Sequence, residues 1–142
     1  MSVVIDTNVV ISALLFGGPP GKLRLLWQNG KIEPVFSKEI LDEYLKVLTY
    51  PRFSLSEIEI DLILKHELLP YFKVVDIPAT DNPEAKKKPI IEADPDDDKF
   101  LLCALADKCR YIISGDKHLL ELKVYENIEI ITPATFLLNL KL

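Results

Sequence analysis

The chain opens on an apolar β-branched run, Val3-Val4-Ile5, that stops on Asp6 and passes into the polar pair Thr7-Asn8. Such a run ending abruptly on an acid predicts a buried central strand that delivers a carboxylate to its C-terminal edge. In open α/β sheets that edge is where ligands sit. The same pattern returns far downstream, where Tyr111-Ile112-Ile113 gives way to Ser114-Gly115-Asp116. Two such strands side by side would place Asp6 and Asp116 within reach of one ion.

Between and beyond these strands, helical and extended patterns alternate. Residues 9–15 read as a short helical turn broken by Phe16-Gly17-Gly18-Pro19-Pro20-Gly21, and a helix then begins near Gly21, carries Leu23, Leu25, Leu26 and Trp27, and ends at Asn29-Gly30. Glu33-Pro34-Val35-Phe36 is a short strand, and Ser37 caps a helix over 38–48. In that helix Ile40, Leu41, Tyr44, Val47 and Leu48 form one stripe at 3.6-residue spacing, with Glu43 on its flank and Asp42 and Lys46 turned away. Ser54 or Ser56 starts a further helix that Pro70 stops, and 71–75 is a third strand. Residues 76–95, with four prolines and the triplet Lys86-Lys87-Lys88, form a long loop of the kind that tends to be functional.

The loop ends in Asp94-Pro95-Asp96-Asp97-Asp98, at the start of another helix. Asp97, Phe100, Leu101, Ala104, Leu105 and Lys108 fall at i, i+3, i+4, i+7, i+8 and i+11, so Asp97 is the aspartate on the core-facing stripe. After Asp116 come a short helix with Leu119, Leu120 and Leu122, a last strand over 127–131, and a terminal helix capped by Thr132 with Pro133 at its first position. This alternation predicts an α/β fold with a mostly parallel sheet and right-handed crossovers.

With 142 residues, 49% of them apolar, the chain reads as one domain, 1–142, large enough to bury a proper core. Seventeen Lys and Arg against 22 Asp and Glu give a net charge of −5, which argues against general affinity for nucleic acid. A nucleic-acid role must then rest on a local basic patch and bound metal. Cys103 and Cys109 are too few for a disulfide framework and read as reduced thiols of a cytoplasmic protein. No basic segment precedes the apolar start and Asp6 lies inside it, which argues against a secretory signal. No apolar run reaches the length of about 18 residues that a membrane span needs. The glycines before Lys22 do not make a nucleotide-triphosphate loop: the spacing is one residue short, Leu23 stands where Ser or Thr is needed, and two prolines remove N–H donors.

Four carboxylates therefore stand where a three-layer α/β fold can bring them together: Asp6 and Asp116 at strand ends, Glu43 and Asp97 on bordering helices. The two helix acids have structural alternatives, Glu43 as a solvated edge residue and Asp97 as part of a helix N-terminus favoured by the macrodipole. Two unit charges 4 Å apart repel by about 4 kcal/mol at an effective dielectric near 20, so the cluster calls for a cation. All-oxygen ligation suits Mg²⁺ or Mn²⁺, and the isolated His66 and His118, without partners at ligand spacing, argue against zinc and read as surface residues.

These residues resemble the PIN-domain family, in its branch of VapC-like toxins of toxin–antitoxin systems. The likeness covers nearly the whole chain: Val4-Ile5-Asp6-Thr7-Asn8, a helix of the form Ile-Leu-x-Glu-x-x-x-Val-Leu over 40–48, Asp94-Pro95-Asp96-Asp97, and Ser114-Gly115-Asp116-Lys117-His118-Leu119-Leu120. It implies a three-layer α/β/α sandwich with about five strands in the order 3-2-1-4-5. It also implies that Asp6, Glu43, Asp97 and Asp116 bind one or two Mg²⁺ or Mn²⁺ ions and hydrolyse phosphodiester bonds of single-stranded RNA, with Asp6 as central ligand. Thr7, Asn8 and Ser114 would support them. Lys22, Arg24, Arg52, Lys86, Lys87, Lys88 and Lys117 are candidates for RNA phosphates, each with a solvated surface charge as its alternative. A small antitoxin covering the cleft and a homodimer follow from the same likeness.

Two competing readings use the same residues. The chain could be a PIN-fold scaffold that acts through a protein partner, although a binder has no need to maintain repelling acids. A receiver-like phosphoacceptor domain also uses strand-end aspartates and Mg²⁺, but it requires a lysine at a later strand end, where this chain has Thr132-Pro133.

Overall fold

The computed structural model describes residues 1–77 and 95–140. Strands β1 (Ser2–Ile5), β2 (Glu33–Phe36), β3 (Lys73–Val74), β4 (Tyr111–Ile113), β5 (Val124–Tyr125) and β6 (Ile128–Ile131) form one sheet in the order β3-β2-β1-β4-β6-β5. All neighbouring pairs are parallel except β5 and β6. The expected order 3-2-1-4-5 is the observed one, with β6 as the expected fifth strand. The addition is β5, joined to β6 by a two-residue hairpin turn in which Glu126 and Asn127 both take positive φ, 49° and 71°. A two-residue strand before a glycine-free turn carries almost no periodic signal. The third strand is also shorter than expected, Lys73–Val74 rather than 71–75.

The central strands explain the layering. Successive strand residues point to opposite faces, yet Val3, Val4 and Ile5, Val35 and Phe36, and Ile112 and Ile113 are all fully buried. Both faces are therefore covered, as a parallel sheet requires. The helices that cover them are α1 (Thr7–Leu15), α2 (Gly18–Gln28), α3 (Lys38–Leu48), α4 (Glu57–Ile63), α5 (Asp98–Ala106), α6 (Lys117–Leu122) and α7 (Pro133–Asn139). Helix α5 packs on β1, β2 and β4, while α2 packs on α1 and α7. Trp27, Phe36, Tyr44 and Phe72 form an aromatic knot in the core, with ring centroids 5.1 Å apart for Trp27–Phe72 and 5.4 Å for Phe36–Phe72. A smaller cluster of Ile11, Val47 and Leu48 ties α1 to α3.

Several boundaries differ from expectation for local reasons. Helix α2 starts at Gly18 rather than near Gly21, because Pro19 and Pro20 lie in its first turn, where missing N–H groups break no hydrogen bond. Ser56 and not Ser54 caps α4, in a reciprocal capping box with Glu59, whereas Ser54 closes the preceding turn with φ 52°. In α5, Phe100, Leu101 and Ala104 are buried as expected, but Leu105 is 38% exposed and Lys108 lies beyond the helix with φ 53°. The chain reverses there, and the Cys109 N–H donates to the Ala104 carbonyl at 2.8 Å, so the stripe stops short of Lys108 and Cys109 returns to the core. Cys103 and Cys109 are both buried free thiols, and burial pushes each up to about 12, which leaves them neutral and apolar in character. Among the described residues no single helix is long and apolar enough to cross a membrane.

Candidate active site

The C-terminal ends of β1 and β4 lie side by side, the Asp6 N–H donating to the Ile113 carbonyl at 3.0 Å. Asp6 is the N-cap of α1: its Oδ1 accepts from the Val9 N–H at 3.0 Å. Its Oδ2 accepts a short hydrogen bond from the hydroxyl of Ser114, which is fully buried just past β4. The same Ser114 Oγ accepts from the Asp116 N–H at 2.9 Å, and Asp116 Oδ1 in turn caps α6 through the N–H groups of His118 and Leu119. The two strand-end aspartates are thus linked through one serine.

Glu43 arrives from the flank of α3. Its Oε2 accepts from the Thr7 hydroxyl and its Oε1 meets Lys99 Nζ at 2.8 Å. Lys99 also donates to the Asp96 carbonyl at 2.7 Å, and its side chain is only 11% exposed. Asp97 sits at the start of α5. One cavity of about 260 Å³ is lined by Asp6, Glu43, Asp97 and Asp116 together with Thr7, Asn8, Val47, Tyr50, Arg52 and Phe100.

Burial is the main force raising the Asp6 carboxyl above the usual carboxylate range, and the charge of Asp116 adds to it; the hydrogen bonds from Ser114, Val9 and Gly115 pull the other way. The site therefore resists a second negative charge at Asp6 in the absence of a cation. By donor type, four carboxylates with Thr7 and Asn8 and no His or Cys in the lining fit a hard divalent ion. As the side chains stand, however, no group of three or more His, Cys, Asp or Glu among the described residues is gathered tightly enough to hold one. Internal donors already engage Asp6, Glu43 and Asp116, so closing on an ion requires these carboxylates to turn.

Of the basic candidates, Arg52 alone among the described residues lines the cavity. Arg24 is held by Glu67, at 2.6 Å and 3.0 Å, with Gln28 joining at 3.2 Å. Lys22 and Lys117 are exposed and off the cavity lining. Lys86, Lys87 and Lys88 lie outside the described residues. His66 is exposed and His118 half-buried, neither in the lining.

Two contributors escaped the sequence reading. Lys99 is one. Tyr44 is the other: it reads as part of an apolar stripe, yet its hydroxyl donates to the Ile5 carbonyl, one residue before Asp6. Burial first, and the charge of Asp6 second, raise its phenol well above the ordinary value, so it stays a donor. Tyr44→Phe keeps the ring packing and removes only that bond. Urea denaturation should show a loss of about 1–3 kcal/mol; a midpoint equal to that of the unaltered chain would show that the bond contributes nothing.

Residues 2–118 match the family profile described as PIN domain. Compared with curated proteins, the chain finds no match. Among solved structures it is similar to the crystal structure of VapBC2 from Rickettsia felis bound to a DNA fragment from their promoter, with a TM-score of 0.58 and 16% identity over 92% of this chain and 97% of that one. It is also similar to the PIN domain endonuclease Utp24, with a TM-score of 0.52 and 20% identity over 91% of this chain and 82% of that one. At these identities the likeness is one of fold.

Proposed function

Because this chain belongs to the PIN-domain family, we propose that it is a divalent-metal-dependent endoribonuclease that hydrolyses single-stranded RNA, as the toxin of a toxin–antitoxin pair. The observation that carries this reading is the shared cavity: carboxylates contributed by two strand ends and two helices line one space. The fold likeness to the R. felis VapBC2 structure and to an endonuclease supports it.

In this reading Asp6, Asp97, Asp116 and Glu43 hold Mg²⁺ or Mn²⁺. The bound ion supplies Lewis acidity toward the phosphate and a lowered pKa for water. The chain's own residues do the rest. The Val9 N–H and the Ser114 hydroxyl hold the Asp6 carboxylate at the strand end, on the wall of the cavity. Thr7 and Lys99 set the rotamer of Glu43 on the opposite wall. Val47 and Phe100 give the cavity an apolar side that strengthens electrostatic contacts within it.

The test is cleavage of a fluorophore-labelled single-stranded RNA by the purified chain. Internal cuts are expected with Mn²⁺ and none after EDTA; cutting that survives chelation would remove the metal from the reaction. A second reading, a weakly active scaffold that works through a protein partner, is favoured by the engagement of Glu43 by Lys99 and Thr7. Calorimetry separates the two, since a scaffold should take up no Mn²⁺ at millimolar concentration.

A further inference from the structure

The cavity is lined by four carboxylates and, among the described residues, one cation, Arg52. An arginine beside so many acids would ordinarily pair with one, as Arg24 does with Glu67. Arg52 instead has no carboxylate within salt-bridge distance among the described residues. Its guanidinium carbon lies 4.8 Å from the Phe53 ring centroid and 5.9 Å from that of Tyr50. Stacked on ring faces, a guanidinium keeps its in-plane N–H donors for an incoming anion.

The backbone holds this arrangement in place. Pro51–Phe53 is a single 3₁₀ turn, closed by the Phe53 N–H donating to the Tyr50 carbonyl at 3.0 Å and by Ser54 in the left-handed region. Tyr50 is in the cavity lining and yet 40% exposed. Phe16, 61% exposed, lies 6.5 Å from Phe53 and extends the aromatic surface outward. Exposed rings interleaved with a guanidinium that pairs with no carboxylate among the described residues are the chemistry that holds unpaired nucleotides, whereas bases stacked inside a duplex present no face to them.

Resting on the ribonuclease reading, we propose that Tyr50 and Arg52 form a subsite for one unpaired nucleotide of the substrate beside the acidic cavity. The Tyr50 ring stacks on the base, and the Arg52 guanidinium meets the adjoining phosphate and offsets the repulsion between the acids and a polyanion. The subsite selects single strands over duplexes.

The test reads binding rather than cleavage. Fluorescence anisotropy is measured with a dye-labelled oligouridylate and with a blunt RNA duplex of equal length, in the Asp6→Asn background with Mn²⁺ present. Tyr50→Ala and Arg52→Ala should each weaken single-strand binding about ten-fold, while Tyr50→Phe keeps the ring and the affinity. Unchanged single-strand affinity in both alanine variants, equal losses on duplex and single strand, or no binding by the parent would each overturn the subsite. Cleavage with unaltered affinity in both variants would leave the nuclease reading standing without it. Weakened binding by the alanine variants, beside a chain that cuts nothing even with Asp6 intact, would support the subsite and count against the nuclease.

Discussion

Replacing Asp6 by Asn is expected to lower metal-dependent cleavage by about 100-fold or more, since even indirect partners of a metal ligand are worth 10- to 100-fold. The variant should fold at least as well as its parent. Asp6 is buried, and burial raises its carboxyl above the value it has in the unfolded chain. A group raised in this way contributes stability below its unfolded value, and that contribution is lost as pH rises through the folded value. Once ionised, Asp6 therefore works against the metal-free fold. Asn keeps the shape and an acceptor for the Val9 N–H while removing the charge, so thermal melts in EDTA at pH 7 should give an equal or higher midpoint. Asp6→Asn protein that cuts RNA at the parent rate would take Asp6 out of the reaction altogether.

Lys99→Met is expected to act in the opposite sense on stability. Lys99 is a buried counter-charge: it neutralises Glu43 at 2.8 Å and ties the start of α5 to α3. Without it Glu43 keeps, among the described residues, only the Thr7 hydroxyl as a hydrogen-bond donor in the metal-free site, and the fold should lose about 1–3 kcal/mol. A divalent ion would then restore a missing positive charge rather than compete with a resident one. The rise in melting temperature on adding Mn²⁺ should accordingly be larger in Lys99→Met than in the parent; equal rises would show that the ammonium and the ion act independently.

The fold was legible wherever a pattern was long or sharply ended. The β1 and β4 runs stop on polar residues, and the Ser37-capped helix α3 shows a full stripe, so the places of Asp6, Glu43 and Asp116 could be read from spacing, whereas the strand order followed from the family likeness. Asp97 followed from helical phase, and the structure brings all four acids to one cavity. What could not be read was decided by contacts across the chain. The hydroxyl of Tyr44 finds its acceptor on β1, and a stripe of apolar spacing says nothing about that. The lysine was partly visible: a cation in the first turn of a helix opposes the macrodipole, so Lys99 directly after Asp98 needed a partner to explain it. The pairing of Arg24 with Glu67, 43 residues further on, is likewise a contact across the chain, whereas the rings against Arg52 are its own neighbours Tyr50 and Phe53.

On one side of β1 in the sheet lies β4, more than a hundred residues further along, and Ser114 reaches Asp6 only once that strand is in place. During synthesis the first strand leaves the ribosome long before the strand that completes its carboxylate's surroundings. Such distant pairing closes late, since a long loop must be ordered first. A nascent or truncated chain lacking β4 therefore carries Asp6 without Ser114 or Asp116, so whatever chemistry the pocket performs is withheld until β4 and the turn after it have been made.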